Sequence, residues 1–405
     1  MSLACPGQDS VGAARTARER PGFVRATASD RPGVAQPVPE REIPLQPWPR
    51  ILAMATMLTL LALGAWEWRM RTLQLMPGDL GDYASGWAEQ RRRIDSEDVP
   101  VAIVGDSRIL FDTDLARFEA LTGVRPLQLA LVGTNARPFL ENLADALNFR
   151  GLAVVGIAET SYFRRETGLR ADALKLYRYE SPAQRSAFLL HRALSRVFGF
   201  LDEEYRLSRL VRRLDPDLRA GADGPYGEVW KIISTTDQRQ SGMWTRIESD
   251  ERLREHARLA FERSRMRTGP PVADDVVAMT LEATRAAVAK IRARGGDVVF
   301  VRPPSTGPLR AGEDRRLPRA RGWEALLAAA AVRGIHADDV PQAQGLTLPE
   351  NSHLTRACAT VFTDAYVRRL ANLTARLPLR ADAPPALQPA DCVAAGAVAA
   401  APPSP

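Results

Sequence analysis

The chain is poor in cysteine, which argues against a fold held together by disulfides and against one held together by zinc. Only three cysteines occur in 405 residues. None forms a Cys-x-x-Cys pair or a His/Cys cluster with the spacing of metal ligands. Two of them, Cys5 and Cys392, fall in segments that we predict to be tails. We therefore expect no disulfide scaffold and no structural zinc, and we predict neither a metal nor a cofactor.

Lysine is equally scarce, occurring only as Lys175, Lys231 and Lys290, so arginine carries nearly all the positive charge. The net charge of +7 and the pI of about 9.7 raise binding to nucleic acid or an anionic surface as a hypothesis. The arginines, however, are scattered among acids, whereas a nucleic-acid site shows a clustered basic footprint. We predict no nucleic-acid partner, because an excess of Arg over Lys is also typical of GC-rich coding sequences.

One long uncharged run, from Ile51 to Trp66, stands out from this polar background. Counted from Trp48 to Trp68, it approaches the roughly 20 apolar residues of a membrane span, with tryptophans as interfacial anchors at both ends. A buried core helix is disfavoured because the run has no polar stripe. A cleaved signal peptide is disfavoured because about 50 residues precede the run. We predict a signal-anchor helix over 48–70 and membrane contact through this one helix.

Both ends of the chain have the low complexity of disordered tails. Residues 1–47 are rich in Pro, Arg, Gly and Ala, and residues 380–405 are rich in Ala and Pro. We expect a linker or helix over 71–98. The segment 99–379 is then long enough for one large domain.

Short apolar runs alternate with helical patterns in this domain. Runs without polar alternation suit strands buried on both faces of a parallel sheet. They are residues 101–105, 126–133, 152–158, 297–303 and a weaker run, 334–340. The helical patterns are 112–122, 136–149, 273–294, 319–333 and 354–373, and the fourth is expected to end on Gly334 as its C-cap. This alternation predicts an α/β fold, a doubly wound (flavodoxin-like) parallel sheet of about five strands.

A large insert interrupts the alternation, since about 140 residues separate the third and fourth runs and a crossover needs only about a dozen. The insert, 165–272, has helical patterns near 171–215 and 250–268. We expect a helical cap, and a cap over the carboxyl ends of the strands would border the ligand crevice.

The first run ends in Gly105-Asp106-Ser107-Arg108. Ligands of open α/β sheets bind outside the carboxyl ends of the strands, so a serine at this point meets substrate. The helix that follows offers its N-terminal N–H groups to a developing oxyanion. The same residues also form ordinary turns and caps, so this motif alone does not establish catalysis.

A second signal lies just before the last helix, where Glu350 precedes His353 by three residues. A carboxylate at this spacing can fix the imidazole tautomer and steady its positive charge. The alternative is a histidine at a helix start beside a solvated glutamate. Of the other three histidines, His191 and His256 lie on Arg-rich helical stretches, and His336 in the weak fifth run is expected to be structural.

Taken together, the two motifs resemble the SGNH (GDSL-like) hydrolase superfamily. The resemblance covers about 99–165 and 295–373, and leaves out the insert. It implies Ser107 as nucleophile, His353 as general base and Glu350 as orienting acid. The family usually has Asp in this last place, so Asp338 or Asp339 stays open as the source of the carboxylate.

The resemblance also implies an oxyanion hole in which the backbone N–H of Gly133 is a donor. The family's third block normally supplies an Asn, but here the loop reads Ala158-Glu159-Thr160-Ser161. Asn135 is an alternative donor or, equally, a helix N-cap. Arg302 is a candidate for binding an anionic substrate group or for pairing with an acid, and Arg108 has the same two interpretations.

The implied activity is acyl transfer through an acyl-serine. Water as acceptor gives an esterase and a sugar hydroxyl gives an O-acyltransferase. Membrane-anchored relatives suggest an envelope polysaccharide as substrate, with the N-terminus cytoplasmic and the domain outside the inner membrane. A second hypothesis is a catalytically impaired SGNH-like module that binds envelope-assembly partners. A third, a nucleic-acid or anionic-lipid binder, rests on the basic pI alone.

Overall fold

The computed structural model describes residues 46–168, 170–212, 231–262 and 269–392. The chain divides into two units, one up to Leu60 and one from Leu61 onward. The predicted disorder of residues 1–45 lies outside the described residues. The helices are α1 Trp48–Thr72, α2 Ala84–Ser96, α3 Ser107–Phe111, α4 Leu115–Thr122, α5 Ala136–Ala144, α6 Glu159–Tyr162, α7 Asp172–Tyr179, α8 Pro182–Ser195, α9 Leu207–Arg212, α10 Thr245–Ser249, α11 Glu251–Glu262, α12 Asp274–Ala293, α13 Gly307–Arg316, α14 Ala325–Ala330 and α15 Arg356–Leu373. The strands are β1 Val101–Val104, β2 Leu127–Gln128, β3 Leu152–Gly156, β4 Ile233–Thr235, β5 Ser241–Met243, β6 Asp297–Arg302 and β7 Arg333–His336.

Helix α1 is, within the described part of the chain, the one helix long and apolar enough to cross a membrane. It has 25 residues, about 37 Å of helix, against roughly 30 Å of bilayer hydrocarbon. Its most apolar window has a mean hydropathy of 1.5 and is not buried by the protein. The observed bounds agree closely with the predicted span over 48–70.

The domain is built on a five-stranded parallel sheet in the order β2-β1-β3-β6-β7. This confirms the expected α/β class and the number of strands. Alternate residues of β1, β3 and β6 join different hydrophobic clusters, which explains why these strands read as unbroken apolar runs. One cluster takes Ile103, Val154 and Val299, and the other takes Ala102, Val155 and Phe300.

The end of the fourth predicted helix differs from the sequence-based expectation. Helix α14 ends at Ala330, and Ala331 adopts the left-handed conformation of a C-cap with a φ of 49°. Gly334, which we expected to cap this helix, lies inside β7. A Cβ at Gly334 would approach Trp323 to 2.6 Å. The glycine is therefore needed for helix packing on the strand, and the predicted C-cap is wrong.

The insert is not wholly helical, because β4 and β5 form an antiparallel pair that the sequence did not predict. This hairpin lies beside the start of α15, where the side chain of Arg356 donates from Nε to the carbonyl of Met243 at 2.7 Å. The backbone N–H of Arg356 donates to Glu248 at 2.8 Å. Arg258 reaches the carbonyl of Pro349 at 3.3 Å. Part of the insert thus borders the loop that precedes α15.

The C-terminal segment is ordered further than its composition predicts. Residues 380–392, expected to be disordered, pack beside α4 and α15. Arg117 donates to the carbonyl of Pro385 at 2.6 Å, and the N–H of Leu387 donates to Asp364 at 3.1 Å. A disulfide joins Cys358 to Cys392. The tail prediction is therefore wrong up to residue 392, and its remainder, 393–405, lies outside the described residues.

Candidate active site

Ser107 is the first residue of α3, directly after β1. Glycines at 105 and 156 allow this short helix to sit close to the sheet, since a Cβ at either position would overlap Ile109. The Asp106 carboxylate caps the helix by accepting from the N–H of Arg108 at 3.1 Å. The serine is half-buried, with its side chain at the carboxyl edge of the sheet.

The structure brings the three predicted catalytic residues together. His353 Nε2 lies 2.9 Å from Ser107 Oγ, and His353 Nδ1 lies 2.8 Å from Glu350 Oε1. The serine and histidine are 246 positions apart in the chain. With Nδ1 donating to the carboxylate, Nε2 can accept from the Ser107 hydroxyl, which is the arrangement that a general base requires.

The Glu350 carboxylate is held by the turn that it begins. Oε1 accepts the backbone N–H of His353 at 2.8 Å, and Oε2 accepts that of Ser352 at 2.9 Å. Asn351 turns the chain with a φ of 70°, a left-handed conformation that asparagine tolerates better than most residues. Glutamate therefore serves as turn former and imidazole partner at once.

The two alternative acids are engaged elsewhere. Asp338 pairs with Arg310 at 2.8 Å, and Asp339 pairs with Arg319 at 2.6 Å. Both carboxylates are about half exposed. The structure therefore places Glu350, and neither aspartate, beside His353.

The imidazole is also packed from behind. Phe111 stacks on His353 with ring centroids 4.2 Å apart. Asp112 accepts the N–H of Leu354 at 2.9 Å, while its second oxygen has no partner. Burial raises the pKa of Asp112 well above its usual value, and the nearby charge of Glu350 raises it too.

Two backbone N–H groups at this edge of the sheet have no acceptor among the described residues. The N–H of Ser107 is at the start of α3, where no intrahelical acceptor exists. After β2 the chain continues alongside β1. The N–H of Leu129 donates to the carbonyl of Ile103, and the N–H of Leu131 donates to the carbonyl of Gly105 at 3.1 Å. This brings the loop of Gly133 to the serine's edge of the sheet. Gly133 has a φ of 68°, and no acceptor among the described residues takes its N–H.

The side chain of Asn135 caps α5 and also bonds to the loop that contains Arg164. Its Oδ1 accepts the N–H of Arg137 at 3.0 Å, and its Nδ2 donates to the carbonyl of Arg164 at 2.8 Å. The side chain is fully buried. Of the two roles that the sequence left open for Asn135, the structure thus favours the N-cap.

The loop after β3 contains no Asn, and its Ala158 has no side-chain donor. Two residues later, the hydroxyl of Thr160 is buried without a hydrogen-bond partner. The neighbouring Ser161 hydroxyl donates to the carbonyl of Thr134 at 2.9 Å. The loop after β3 is therefore tied to the loop after β2 through Ser161.

Arg302 and Arg108 belong to a buried ion network that contains as many acids as bases. Arg302 bonds to Glu159 at 3.3 Å and to Glu313 at 3.0 Å, and Arg108 forms an ion pair with Glu313. Burial raises the pKa of Glu313, but the two arginines outweigh it and lower that pKa to about 2. Arg302 is 1% exposed. The candidate role of Arg302 as a substrate-binding residue is therefore wrong, because its charge is already neutralised.

Arg164 was not predicted to be a site residue. It lies beside the loop of Gly133 and forms no ion pair with a carboxylate among the described residues. It donates to the carbonyl of Gly133 at 3.2 Å, and its Nε is buried without an acceptor. Burial lowers the pKa of Arg164, and Asp106 opposes that shift. No sequence signal separates it from the adjacent Arg165, because both occupy the loop that leads into the insert.

No group of three or more His, Cys, Asp and Glu side chains within the described ranges is arranged to hold a metal ion. Comparisons with known proteins return no match: no family model, no curated protein and no solved structure resembles this chain closely enough. The chemistry must therefore be argued from the geometry of the site. That geometry is a serine, a base and a carboxylate in one hydrogen-bonded chain beside two backbone donors.

Proposed function

We propose that this protein is a membrane-anchored serine esterase or O-acyltransferase of the SGNH type, acting on ester-linked acyl groups of an envelope polysaccharide. The observation that carries the proposal is the continuous hydrogen-bonded chain from Ser107 through His353 to Glu350. A histidine and a glutamate that merely started a helix would have no reason to align on a half-buried serine.

The fold supports the same class. Counting the five strands of the main sheet along the chain, their spatial order is 2-1-3-4-5, the order of flavodoxin-like doubly wound sheets. Hydrophobic clusters on both faces fit that arrangement. Ser107 follows the strand next to the switch in strand order, where such sheets bind ligands.

In the first half-reaction, His353 Nε2 takes the Ser107 proton as Oγ attacks the ester carbonyl. The tetrahedral oxyanion accepts from the N–H groups of Ser107 and Gly133. Glu350 stabilises the imidazolium without taking its proton. The C–O bond to the alcohol then breaks, His353 protonates the leaving oxygen, and acyl-Ser107 remains.

In the second half-reaction, His353 removes a proton from water or from a sugar hydroxyl, and that oxygen attacks acyl-Ser107. Collapse of the second tetrahedral intermediate returns the proton to Ser107. Water releases a carboxylic acid, and a sugar hydroxyl leaves with the acyl group. The same residues perform both reactions, so the acceptor decides between esterase and transferase.

The proposed location is the inner membrane, with a single span and the domain on the extracytoplasmic side. Helix α1 supplies a span of suitable length. The Cys358–Cys392 disulfide supports the orientation, because disulfides persist in oxidising compartments and are rare in the cytosol.

The second candidate function is an SGNH-like module that binds envelope-assembly partners without catalysis. One observation favours it: Ala158 stands where the family's third donor is expected, and Asn135 is committed to capping α5. Losing one oxyanion donor costs about 3–4 kcal/mol of transition-state stabilisation.

The test uses the full-length protein in detergent, a fluorophosphonate probe and an activated acetyl ester. We expect labelling of Ser107 and ester turnover, with Ser107→Ala and His353→Ala each lowering kcat by about 10⁴-fold or more. Ser352→Ala, which removes a neighbouring buried hydroxyl, is the matched control and should label like the native protein. Absence of labelling and turnover in a folded sample would reject the enzyme and favour the binding module. Adding an oligosaccharide acceptor then separates transferase from esterase.

A further inference from the structure

Helix α8 has one face packed against the protein. Its Phe188 ring lies against the backbone of Gly86 in α2, and its Arg192 pairs with Glu89 at 2.7 Å. Ser195 is buried at the end of the helix. These positions share one side of a helix with 3.6 residues per turn.

The opposite face of α8 is apolar and exposed. Leu190, Leu194 and Val197, which follows the helix end, are 61%, 41% and 58% exposed. Alanines and one serine complete this outer face, which consists of Ala183, Ser186, Ala187, Leu190, Ala193, Leu194 and Val197. Two exposed arginines, Arg185 and Arg196, border it on one side, and Arg196 pairs with Asp237 at 2.8 Å. A largely apolar face bordered by basic residues is the pattern of helices that lie in a membrane interface.

The end of α8 is fixed to the end of the apolar helix α1. Glu67, in the last two turns of α1, accepts the backbone N–H groups of Gly199 and Phe200, both at 3.0 Å. Arg71, one turn further, donates to the carbonyl of Val197 at 3.2 Å. Trp68 between them is 69% exposed, and tryptophan at such a position is typical of the membrane–water boundary.

These contacts decide what covers the outer face of α8. If α1 crosses a bilayer and ends near Thr72, the backbone from Val197 to Phe200 lies at the same boundary, within hydrogen-bond distance of α1. The apolar face of α8 begins at that point. We propose that α8 lies along the membrane surface with this outer face in the lipid, as a second attachment beside α1. The proposal requires α1 to be in a bilayer and does not depend on the esterase chemistry.

The test places an environment-sensitive fluorophore on the full-length protein in vesicles of phosphatidylcholine and phosphatidylglycerol, in a Cys5→Ser background. Labels at Leu190→Cys and Leu194→Cys should lose fluorescence when the lipids are brominated near the headgroup. Leu147→Cys is the matched control, because Leu147 is a leucine with 76% exposure in the turn between α5 and β3. Its label should be unaffected, and a label at Leu58→Cys reports whether α1 is in the bilayer.

A second variant removes the apolar face without removing α1. Leu190→Asp combined with Leu194→Asp should abolish the quenching of a label at Val197→Cys, whereas Leu147→Asp should leave it unchanged. Quenching at Leu58→Cys without quenching on α8 would overturn the proposal. So would the absence of quenching at Leu58→Cys, or protection that scales with protein density, which would indicate a second copy. Ester turnover measured on the same samples tests the proposed function separately.

Discussion

Two charged clusters share the carboxyl edge of the sheet, and they differ in what their charges face. In the ion network, Arg108 and Arg302 are matched by Glu159 and Glu313, and all four side chains are buried. In the triad, the single carboxylate of Glu350 holds an imidazole whose other nitrogen meets a half-buried serine. In the ion network the opposite charges balance and hold the loops in place. In the triad the imidazole faces the hydroxyl of a serine that is only half-buried, and this cluster is the one suited to chemistry.

Of the changes considered, replacing the acid of the triad should reduce activity the most. Glu350→Gln should lower kcat on an activated ester by about 10⁴-fold, because an amide facing Nδ1 favours the wrong tautomer of His353. The matched control is Asp338→Asn, since Asp338 is an alternative acid that pairs with Arg310. Its kcat should match that of the native protein. A larger loss from Asp338→Asn than from Glu350→Gln would show that the acid has been misassigned.

The ion network should respond in stability. Glu313→Gln leaves two buried arginines short of a carboxylate and should lower the free energy of unfolding by about 3–5 kcal/mol, measured by denaturant titration. Glu282→Gln, which breaks the exposed pair with Arg285, is the control and should leave the midpoint unchanged. Equal midpoints for the two variants would mean that burial adds nothing to the network.

The pH dependence of the unfolding free energy tests the same ion network. The pKa of Glu313 falls from 4.5 to about 2 on folding, so its stabilising contribution is complete above pH 4.5 and is lost as the pH falls toward 2. The difference in unfolding free energy between the native protein and Glu313→Gln should therefore shrink over that interval. Asp112, whose pKa burial raises, is present in both proteins and cancels in the difference. Asp106 does not cancel fully, because the charge of Glu313 contributes to the rise of its pKa.

The disulfide gives a smaller effect in a region away from both clusters. Cys392→Ser should lower the free energy of unfolding by about 2–4 kcal/mol, because the link between positions 34 residues apart constrains the unfolded chain. Reducing the native protein should reproduce the loss. An unchanged stability after both treatments would show that packing alone holds residues 380–392.

The smallest expected effect separates capping from catalysis at Asn135. Asn135→Ala should cost about 1 kcal/mol of stability through loss of the cap on α5, and Asn135→Ser should recover most of it. The kcat of both variants should stay near the native value. A kcat loss of about 10²-fold or more with unchanged stability would instead identify Asn135 as an oxyanion donor.

The sequence predicted the parts of the fold that rest on local pattern. The unbroken apolar runs at β1, β3 and β6 and the strong helical periodicity of α12 predicted elements close to those observed. The β4–β5 hairpin was missed because its strands have three residues each, too short for a period-two pattern. The C-cap at Ala331 was missed because an alanine with positive φ is set by packing around Gly334 and Trp323.

For the site, sequence motifs selected Ser107, His353 and Glu350, and the structure places them together. The role of Arg302 could not be predicted in this way. The sequence around an arginine at the end of a strand is the same whether the side chain faces a ligand or a buried acid. Its partners Glu159 and Glu313 come from α6 and α13, and only the folded chain shows them meeting. The disulfide was also missed, because Cys392 lies in a segment with the composition of a disordered tail.

The separation of 246 positions between Ser107 and His353 has a consequence for synthesis. Ser107 is synthesised long before His353, so a partly made chain carries the serine without the imidazole and the carboxylate beside it. The hydrogen-bonded chain of the three side chains can therefore form only after residues 350–353 have been added.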